Sequence, residues 1–515
     1  MGVQKYPVGI QTFEKIIKDD WVYIDKTGYI PSLVNEGVYY FLSRPRRFGK
    51  SLLLSMLHSY FEGKRELFKG LAVDSMDVEW KSRPVIHIDL NSSNYIRDDG
   101  LDLILGRILQ RYEEEYGLKV SGVDYAGRFI ALIQRIYDRT GERVVILVDE
   151  YDKPLLNIED NPELFRHNQA TLKAFFGVLK SMDRLIQFAM LTGVARFNKV
   201  SIFSDLNNLH DISLSDKYAD ICGITEREML ENMSPGIEAL AAKIGKSYDA
   251  TVNLLRYYYD GYLFTEHGSR LYNPFSLLNA LDDSRLAYYW YETGNPTFLV
   301  KRVKSSGIVL PDLNKAKSTE LGLMSVGMDD RNPIPLLFQT GYLTIKNVQG
   351  RRYELQFPNH EVETCFVEQL QPLFLPQMDE VSGEFSIWEF QDEIVEGKPE
   401  AFMKRLQAMV KSVPYEQHNE KFYQNIVYIL FTLLGTDSRM EEHTNRGRPD
   451  LVVRTVKYIY VFEFKYEGNA DEAISQIRDK DYAGRHAADS RTVFLIGASF
   501  SKELRGLADW KIEKL

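Results

Sequence analysis

The stretch Ser43-Arg44-Pro45-Arg46-Arg47-Phe48-Gly49-Lys50-Ser51 constrains this chain more than any other. It follows the apolar run Val38-Tyr39-Tyr40-Phe41-Leu42 and precedes Leu52-Leu53-Leu54-Ser55-Met56-Leu57, so it reads as strand, loop, helix. A Gly-Lys-Ser at a loop-to-helix junction lets backbone N–H groups and the positive helix end wrap a phosphate. Lys50 then reaches the outer phosphates and the Ser51 hydroxyl ligates Mg²⁺. The pattern departs from G-x-x-x-x-G-K-[ST] at its first glycine, where Arg44 stands. Arginine tolerates a left-handed backbone poorly, so the start of the loop is expected to differ. Arg46, Arg47, Phe48, Gly49, Lys50 and Ser51 are the candidate nucleotide contacts, although Arg46 and Arg47 read equally as solvated surface.

A second run, Val144-Val145-Ile146-Leu147-Val148-Asp149-Glu150, narrows the reading. Its consecutive β-branched and aliphatic residues suit a parallel strand covered on both faces. In phosphate-loop chemistry the first carboxylate, Asp149, holds Mg²⁺ through water, and the next, Glu150, polarises the attacking water. Either motif alone is common. Both in this order point to nucleotide binding.

Pro84-Val85-Ile86-His87-Ile88-Asp89-Leu90 and Ile186-Gln187-Phe188-Ala189-Met190-Leu191-Thr192-Gly193 supply further buried strands. Helical patterns over 101–116, 125–139 and 163–182 alternate with them. Such alternation implies a parallel α/β sheet with its ligand beyond the carboxyl ends of the strands, where Lys50, Asp149 and Thr192 would lie. From about Glu226 aromatic-rich helical patterns take over, at 254–259, 275–281 and 286–291, suggesting a helical lid or winged-helix module. Its clusters Tyr257-Tyr258-Tyr259 and Tyr288-Tyr289-Trp290-Tyr291 could stack on bases, but helical spacing reads first as core. The turn-rich stretch from Leu375 to Gly383 is the expected linker. The organisation expected is therefore 1–225, 226–375 and 384–515.

Together with Tyr23-Ile24-Asp25-Lys26-Thr27, Asp149-Glu150-Tyr151-Asp152-Lys153-Pro154, Leu191-Thr192-Gly193 and Tyr259-Asp260-Gly261-Tyr262, the Arg-Pro-Arg-Arg-Phe-Gly-Lys-Ser loop resembles the bacterial AAA-ATPase-like proteins. The resemblance implies a P-loop ATPase using ATP and Mg²⁺, followed by a nuclease-superfamily domain. It also implies that Thr192 senses the γ-phosphate, whereas the residue by itself fits a cap or turn equally well. Arg196 and Lys199 read as a solvated basic turn, with reach to the nucleotide as the alternative.

At 515 residues the chain has room for two or three domains, and 44% hydrophobic content supplies real cores. A net charge of −10 excludes a uniformly basic surface, so any nucleic-acid site must be local. Two cysteines far apart in sequence, Cys222 and Cys365, argue against a disulfide framework and for a reducing cytoplasm. The first residues lack the apolar core of a signal peptide, and the longest apolar stretch, 426–434, falls short of the roughly 20 residues that span a bilayer. A soluble protein without a membrane partner is expected.

The last domain opens with a helical pattern running from Asn419-Glu420-Lys421-Phe422-Tyr423 into the apolar stretch. Arg446-Gly447-Arg448-Pro449-Asp450-Leu451-Val452-Val453, a short turn, and Tyr458-Ile459-Tyr460-Val461-Phe462-Glu463-Phe464-Lys465 then read as a β-hairpin. Period-2 alternation puts Glu463 and Lys465 on one face. With the turn centred between Thr455 and Val456, Asp450 pairs opposite Val461 and joins that face. Two carboxylates and a lysine on adjacent strands suit metal-dependent phosphodiester cleavage: oxygen ligands for Mg²⁺ and a fixed cation beside them. The bland alternative is a solvated charge pair. The constellation resembles the PD-(D/E)XK nuclease superfamily, with Asp450 and Glu463-Phe464-Lys465 filling its two motif halves. By that resemblance Glu420, or less well Glu442, adds an acid from the preceding helix, and Gln476 completes the site from the following one.

The sequence thus leads to an α/β protein with a P-loop sheet, a helical or winged-helix middle and a restriction-endonuclease-like C-terminal domain. Its leading function is an ATPase that gates or powers a nuclease acting on DNA or RNA. The alternative is a nucleotide-dependent switch whose last domain recognises nucleic acid or protein without cleaving. Homo-oligomerisation stays open.

Overall fold

The computed structural model describes residues 4–120, 123–156, 158, 161–196, 206, 208–290, 297–324, 332–378, 385–413, 419–435, 437–440, 449–486 and 489–515. They divide into two compact units, one of residues 1–299 and 316–362, the other of 300–315 and 363–515.

In the first unit, β1 (Tyr39–Ser43), β2 (Val85–Asp89), β3 (Val144–Asp149), β4 (Ile186–Gly193) and β5 (His210–Asp211) form one sheet in the order β2-β3-β4-β1-β5. Every neighbouring pair is parallel. β1 and β3 are buried along their whole length, as the unbroken apolar runs demand. Helices Lys50–Phe61, Gly100–Glu115, Tyr125–Thr140 and Pro162–Ser181 make the crossovers that parallel strands require. Local chemistry sets their ends: the Asp124 side chain accepts from the Gly127 amide at the third helix's start, and Gly141 takes the left-handed conformation at its end. β4 lies between β1 and β3, so its carboxyl end falls between the phosphate-type loop and Asp149.

The same unit continues with β6 (Ile224–Thr225) paired to β7 (Leu271–Tyr272). Helices Glu226–Ile244, Tyr248–Tyr259 and Pro274–Asp282 close around Met229, Met233, Ile237, Leu255, Tyr259 and Leu277. No helix forms over 286–290, contrary to the pattern there, and Tyr291 lies outside the described residues. The backbone of that stretch bonds to side chains instead: the Ala287 amide donates to the Tyr259 hydroxyl, which itself donates to the Ala287 carbonyl, and the Trp290 amide donates to Glu361 Oε1. Tyr259, Tyr289 and Trp290 are core residues, while Tyr257 is exposed. β8 (Lys317–Ser318), short helices Glu320–Leu323 and Ile334–Thr340, then β9 (Thr344–Gln349) and β10 (Arg352–Gln356) follow, the strands antiparallel in the order β8-β10-β9. That is a winged-helix-like sequence of elements.

In the second unit, β11 (Asp437–Met440), β12 (Leu451–Arg454), β13 (Tyr458–Tyr466), β14 (Thr492–Ser501) and β15 (Gly506–Lys514) are hydrogen-bonded in sequence order. Only β13 and β14 run parallel, joined through helix Ala470–Asp479. Ile474 and Ile477 of that helix pack on Val452, Ile459, Val461, Val493 and Leu495. Phe462, on the opposite face, packs edge-on to Phe431. Part of the stretch expected as linker is built into this unit: Leu375 and Met378 are buried, and Gln377 Nε2 donates to the Ser412 carbonyl at 2.9 Å. Residues 379–384 lie outside the described residues. No helix among the described residues is long and apolar enough to cross a membrane.

Gly497 of β14 stands beside Glu463 of β13 and lets the crossover helix lie close, since a Cβ there would meet the Ala470 carbonyl oxygen at 2.6 Å. A backbone atom cannot yield cheaply. Gly497→Ala is therefore expected to destabilise the second unit by about 1–3 kcal/mol and to leave the first unit's unfolding unchanged, as read by thermal denaturation of wild type and variant.

Candidate functional site

At the carboxyl end of the parallel sheet, Gly49 (φ 95°) leads into the helix Lys50–Phe61. Lys50 is buried, and its Nζ donates to the carbonyls of Arg44 and Pro45 at 2.9 and 3.0 Å. The start of the loop does differ: Arg44 is not left-handed, and the non-glycine residue of the loop that is left-handed is Arg47 (φ 61°). Arg44 instead sends its guanidinium inward, donating to the carbonyls of Ser43, Ser213, Tyr218 and Ala219 and lying 4.1 Å from the centre of the Phe264 ring. The Arg47 guanidinium sits 3.7 Å over Phe275, Arg46 is half-buried, and Phe48 is a core residue edge-on to Tyr262 and Phe264. Only the backbone of Phe48 is therefore available to a phosphate. The loop is also held from outside: a Cβ on Gly341, just past helix Ile334–Thr340, would lie 2.6 Å from the Pro45 side chain.

Across from Lys50, Asp149 ends β3 buried, and its Oδ1 accepts from the Thr192 hydroxyl at 2.7 Å and the Glu150 amide at 3.1 Å. Glu150 has φ 51°, a second non-glycine residue held left-handed at this end of the sheet. Its carboxylate lies 3.5 Å from Lys153 Nζ. Asp152, quoted in the sequence motif without a role, proves to brace β4: its Oδ2 accepts from the Val194 and Ala195 amides. Burial pushes the Asp152 carboxyl up to about 6, against the pull of those amides and of Lys50. Arg196 is not the solvated turn residue expected. It is buried, pairs with Asp211, and its amide donates to Gln339 Oε1 at 2.5 Å. Lys199 lies outside the described residues.

An apolar cavity of roughly 90 Å³ opens beside Gly49, lined among others by Val22, Ile24, Leu53, Ile221, Pro274 and Leu278. No sequence motif announced it, because its walls come from segments far apart in the chain.

In the second unit the hairpin register differs from the expected one. Leu451 stands opposite Phe462 and Val452 opposite Val461, with Thr455 and Tyr458 closing the turn, so Asp450 falls level with Glu463 rather than Val461. The slip is two residues, and a two-residue slip keeps every side chain on its face. Asp450 Oδ2 accepts from the Phe464 amide at 2.8 Å. Lys465 Nζ donates to Glu463 Oε1 at 3.2 Å and to Gln476 Oε1 at 2.5 Å, while Gln476 Nε2 also donates to Glu463 Oε1. The four side chains named from sequence thus meet. Glu420, exposed in the first turn of helix Glu420–Leu433, lines the same cavity of roughly 250 Å³. Glu442 and Arg446–Arg448 lie outside the described residues.

Glu463 is almost wholly buried, and nothing among the described residues bonds its Oε2. Burial, with Asp450 adding to it, pushes its carboxyl up to about 7 against the opposing pull of Lys465. An unpartnered buried acceptor beside a second carboxylate suits a hard divalent cation. Among the described residues no three His, Cys, Asp or Glu side chains gather closely enough to hold a metal ion. Mg²⁺ would rest on Asp450, Glu463 and water, a set it accepts.

Because a cation needs Glu463 ionised, affinity is expected to fall about tenfold per pH unit below about 7 and to level off above it. Calorimetric Mn²⁺ titration at pH 6, 7 and 8 measures this. The folded-state value is raised, so without metal ionising Glu463 costs stability as pH climbs from the ordinary carboxylate range to about 7. Glu463→Gln should then be more stable than wild type at pH 8 and converge with it near pH 5.

A family profile described as predicted AAA-ATPase matches residues 7–203, and one described as PD-(D/E)XK nuclease superfamily matches residues 418–510. A protein of Azotobacter chroococcum mcd 1, described as "uncharacterized protein in vnfD 5'region", is 36% identical over 532 residues, covering 100% of each chain. Among solved structures, the Aeropyrum pernix ORC2 protein in its ADPNP–ADP complexes is similar at TM-score 0.19 and 11% identity, over 70% of this chain and 93% of that one, too faint a likeness to carry an argument. With both profiles met in chain order and a relative matched along its whole length, the chain belongs to the AAA-ATPase-like family in which a PD-(D/E)XK nuclease superfamily domain follows the ATPase-type domain.

Proposed function

We propose that this protein hydrolyses ATP with Mg²⁺ and that its ATPase gates or powers metal-dependent cleavage of DNA or RNA at the site of Asp450 and Glu463. The observation that carries the reading is the buried, unpartnered Glu463 Oε2 beside Asp450, with Lys465 and Gln476 already in contact with the same carboxylate. A cytoplasmic setting is part of the reading, supported by two buried cysteines, Cys222 and Cys365, that form no disulfide. The functional division proposed is 1–225 for nucleotide, 226–375 as a helical and winged-helix-like module, and 384–515 for the nuclease-like chemistry.

At the first site, ATP phosphates would replace the Arg44 and Pro45 carbonyls as acceptors for Lys50, with amides of Phe48 to Ser51 around them. The apolar cavity beside Gly49 suits the base. Ser51 and Asp149 would hold Mg²⁺, and Thr192, already bonded to Asp149, would keep that carboxylate oriented. Glu150 would orient and deprotonate the attacking water. At the second site Asp450 and Glu463 would hold the divalent ion, which when bound supplies positive charge and makes a water acidic. Lys465 would stabilise charge developing on the scissile phosphate, and Gln476 would fix both Lys465 and Glu463 in place.

Lys50→Ala is expected to abolish ATP binding. Glu150→Gln should keep binding and lower turnover by about 10²–10⁴-fold, as measured by nucleotide binding and phosphate release. A Lys50→Ala protein hydrolysing ATP at the parental rate would remove the phosphate-loop role.

For the second site, Asp450→Ala and Glu463→Ala should each release Mn²⁺ and stop cleavage of plasmid or labelled RNA. Lys465→Ala should keep the metal and lose about 10²–10³-fold in cleavage. The switch that recognises without cleaving is favoured by one observation, the absence of a third acidic ligand among the described residues. Nucleic-acid binding without cleavage, insensitive to all three substitutions, would establish it instead.

A further inference from the structure

The cavity that holds Asp450 and Glu463 has a wall from far up the chain: Val309, Pro311 and Asp312 line it together with Glu420, Tyr423 and Lys465. Residues 300–315 belong to the second unit, although the chain on either side of them, through 299 and from 316, belongs to the first. This strap is held in a particular way. Leu310 and Leu313 are fully buried, and the rest of the grip is polar. Asn425, 4% exposed within the most apolar helix of the unit, spends its carboxamide on the strap's backbone: its Oδ1 accepts from the Leu310 amide at 2.7 Å, and its Nδ2 donates to the Ile308 carbonyl at 3.3 Å. Three residues on, and so on the same face of the helix, the Tyr428 hydroxyl donates to Glu363 Oε1 at 2.6 Å. That oxygen also accepts from Asn314 of the strap at 3.1 Å. Two polar clasps thus fix the strap to the helix that forms the opposite part of the cavity wall.

The strap's contribution to the cavity is a negative charge. Asp312 joins Glu420, Asp450 and Glu463, and Lys465 is the one cation among the described residues that line the cavity. The Asp312 pair with Lys315, at 3.7 Å and exposed on both sides, screens it weakly. A phosphodiester strand approaching this mouth meets like charge, and the strap narrows the way in.

We propose that the strap Ile308–Asn314 is an autoinhibitory element that restricts entry of a nucleic-acid strand to the Asp450–Glu463 cavity, and that releasing its clasp to Asn425 opens the cavity. The inference rests on the nuclease-type reading of that site and adds its regulation. Both ends of the strap continue into the first unit, so a change in that unit can reach the strap along the chain from either side.

The test uses the full chain, a short fluorescent single-stranded DNA and its RNA counterpart, with Ca²⁺ as a hard cation for binding and Mg²⁺ or Mn²⁺ for cleavage. Asn425→Ala should speed hydrogen exchange of the strap amides and tighten oligonucleotide binding about tenfold. Asp312→Lys, on an exposed side chain, should tighten binding by a similar factor without faster exchange. Faster exchange in Asn425→Ala without tighter binding overturns the proposal. So does unchanged binding in Asp312→Lys, which decides alone where Asn425→Ala does not fold. Tighter binding in both variants with no cleavage in any metal keeps the strap's role and removes the nuclease reading. Cleavage by wild type that neither variant alters does the reverse.

Discussion

The loop between β1 and the helix Lys50–Phe61 depends on keeping a guanidinium charged inside the first unit. Arg44 is 1% exposed, and its charge is met by backbone carbonyls from its own strand end and from the segment 213–219, and by the face of Phe264. Burial draws the group down to about 10, still charged at neutral pH. A planar donor fork suits this better than an ammonium, because several fixed carbonyls can be satisfied at once. The position at which phosphate loops use glycine for freedom is used here for rigidity, and the left-handed backbone falls later in the loop, on Arg47 and Gly49.

The motifs in the sequence located both candidate sites, and the reason is periodicity. Long apolar runs must be covered on both faces, so the polar residues that close them, Ser43, Asp149 and Thr192, mark the ends where a ligand can meet them. In the hairpin a misplaced turn did no harm to the face assignment of Asp450, Glu463 and Lys465, since parity survives a shift of two. What stayed hidden was whatever depends on distant partners. The pattern over 286–290 looks helical, yet the Tyr259 hydroxyl takes both backbone bonds of Ala287 and Glu361 takes the amide of Trp290. Arg196 looks like surface until Asp211 and Gln339 surround it. The signal for Asn425 was present but quiet: one carboxamide at the edge of a long apolar run, where a buried polar group needs partners of its own.

The two candidate sites solve opposite electrostatic problems. Around Asp149 the buried acids are compensated within the chain, through Thr192, the amides of Val194 and Ala195, and Lys50 nearby. Around Glu463 compensation is incomplete, and one oxygen is left without a partner among the described residues. A site that is satisfied as it stands can wait for its ligand without cost. A site that is not satisfied is strained until a cation or a proton arrives, which makes the second far more sensitive to its medium than the first.

The contact between Pro45 and Gly341 leaves the phosphate loop no play. With no room for even a methyl group between them, and with Phe48 wedged against Tyr262 and Phe264, the loop is packed directly against the turn at Gly341 that leads into β9 and β10. A ligand that drew Lys50 away from the Arg44 and Pro45 carbonyls would therefore act on a segment already packed against the turn that leads into β9.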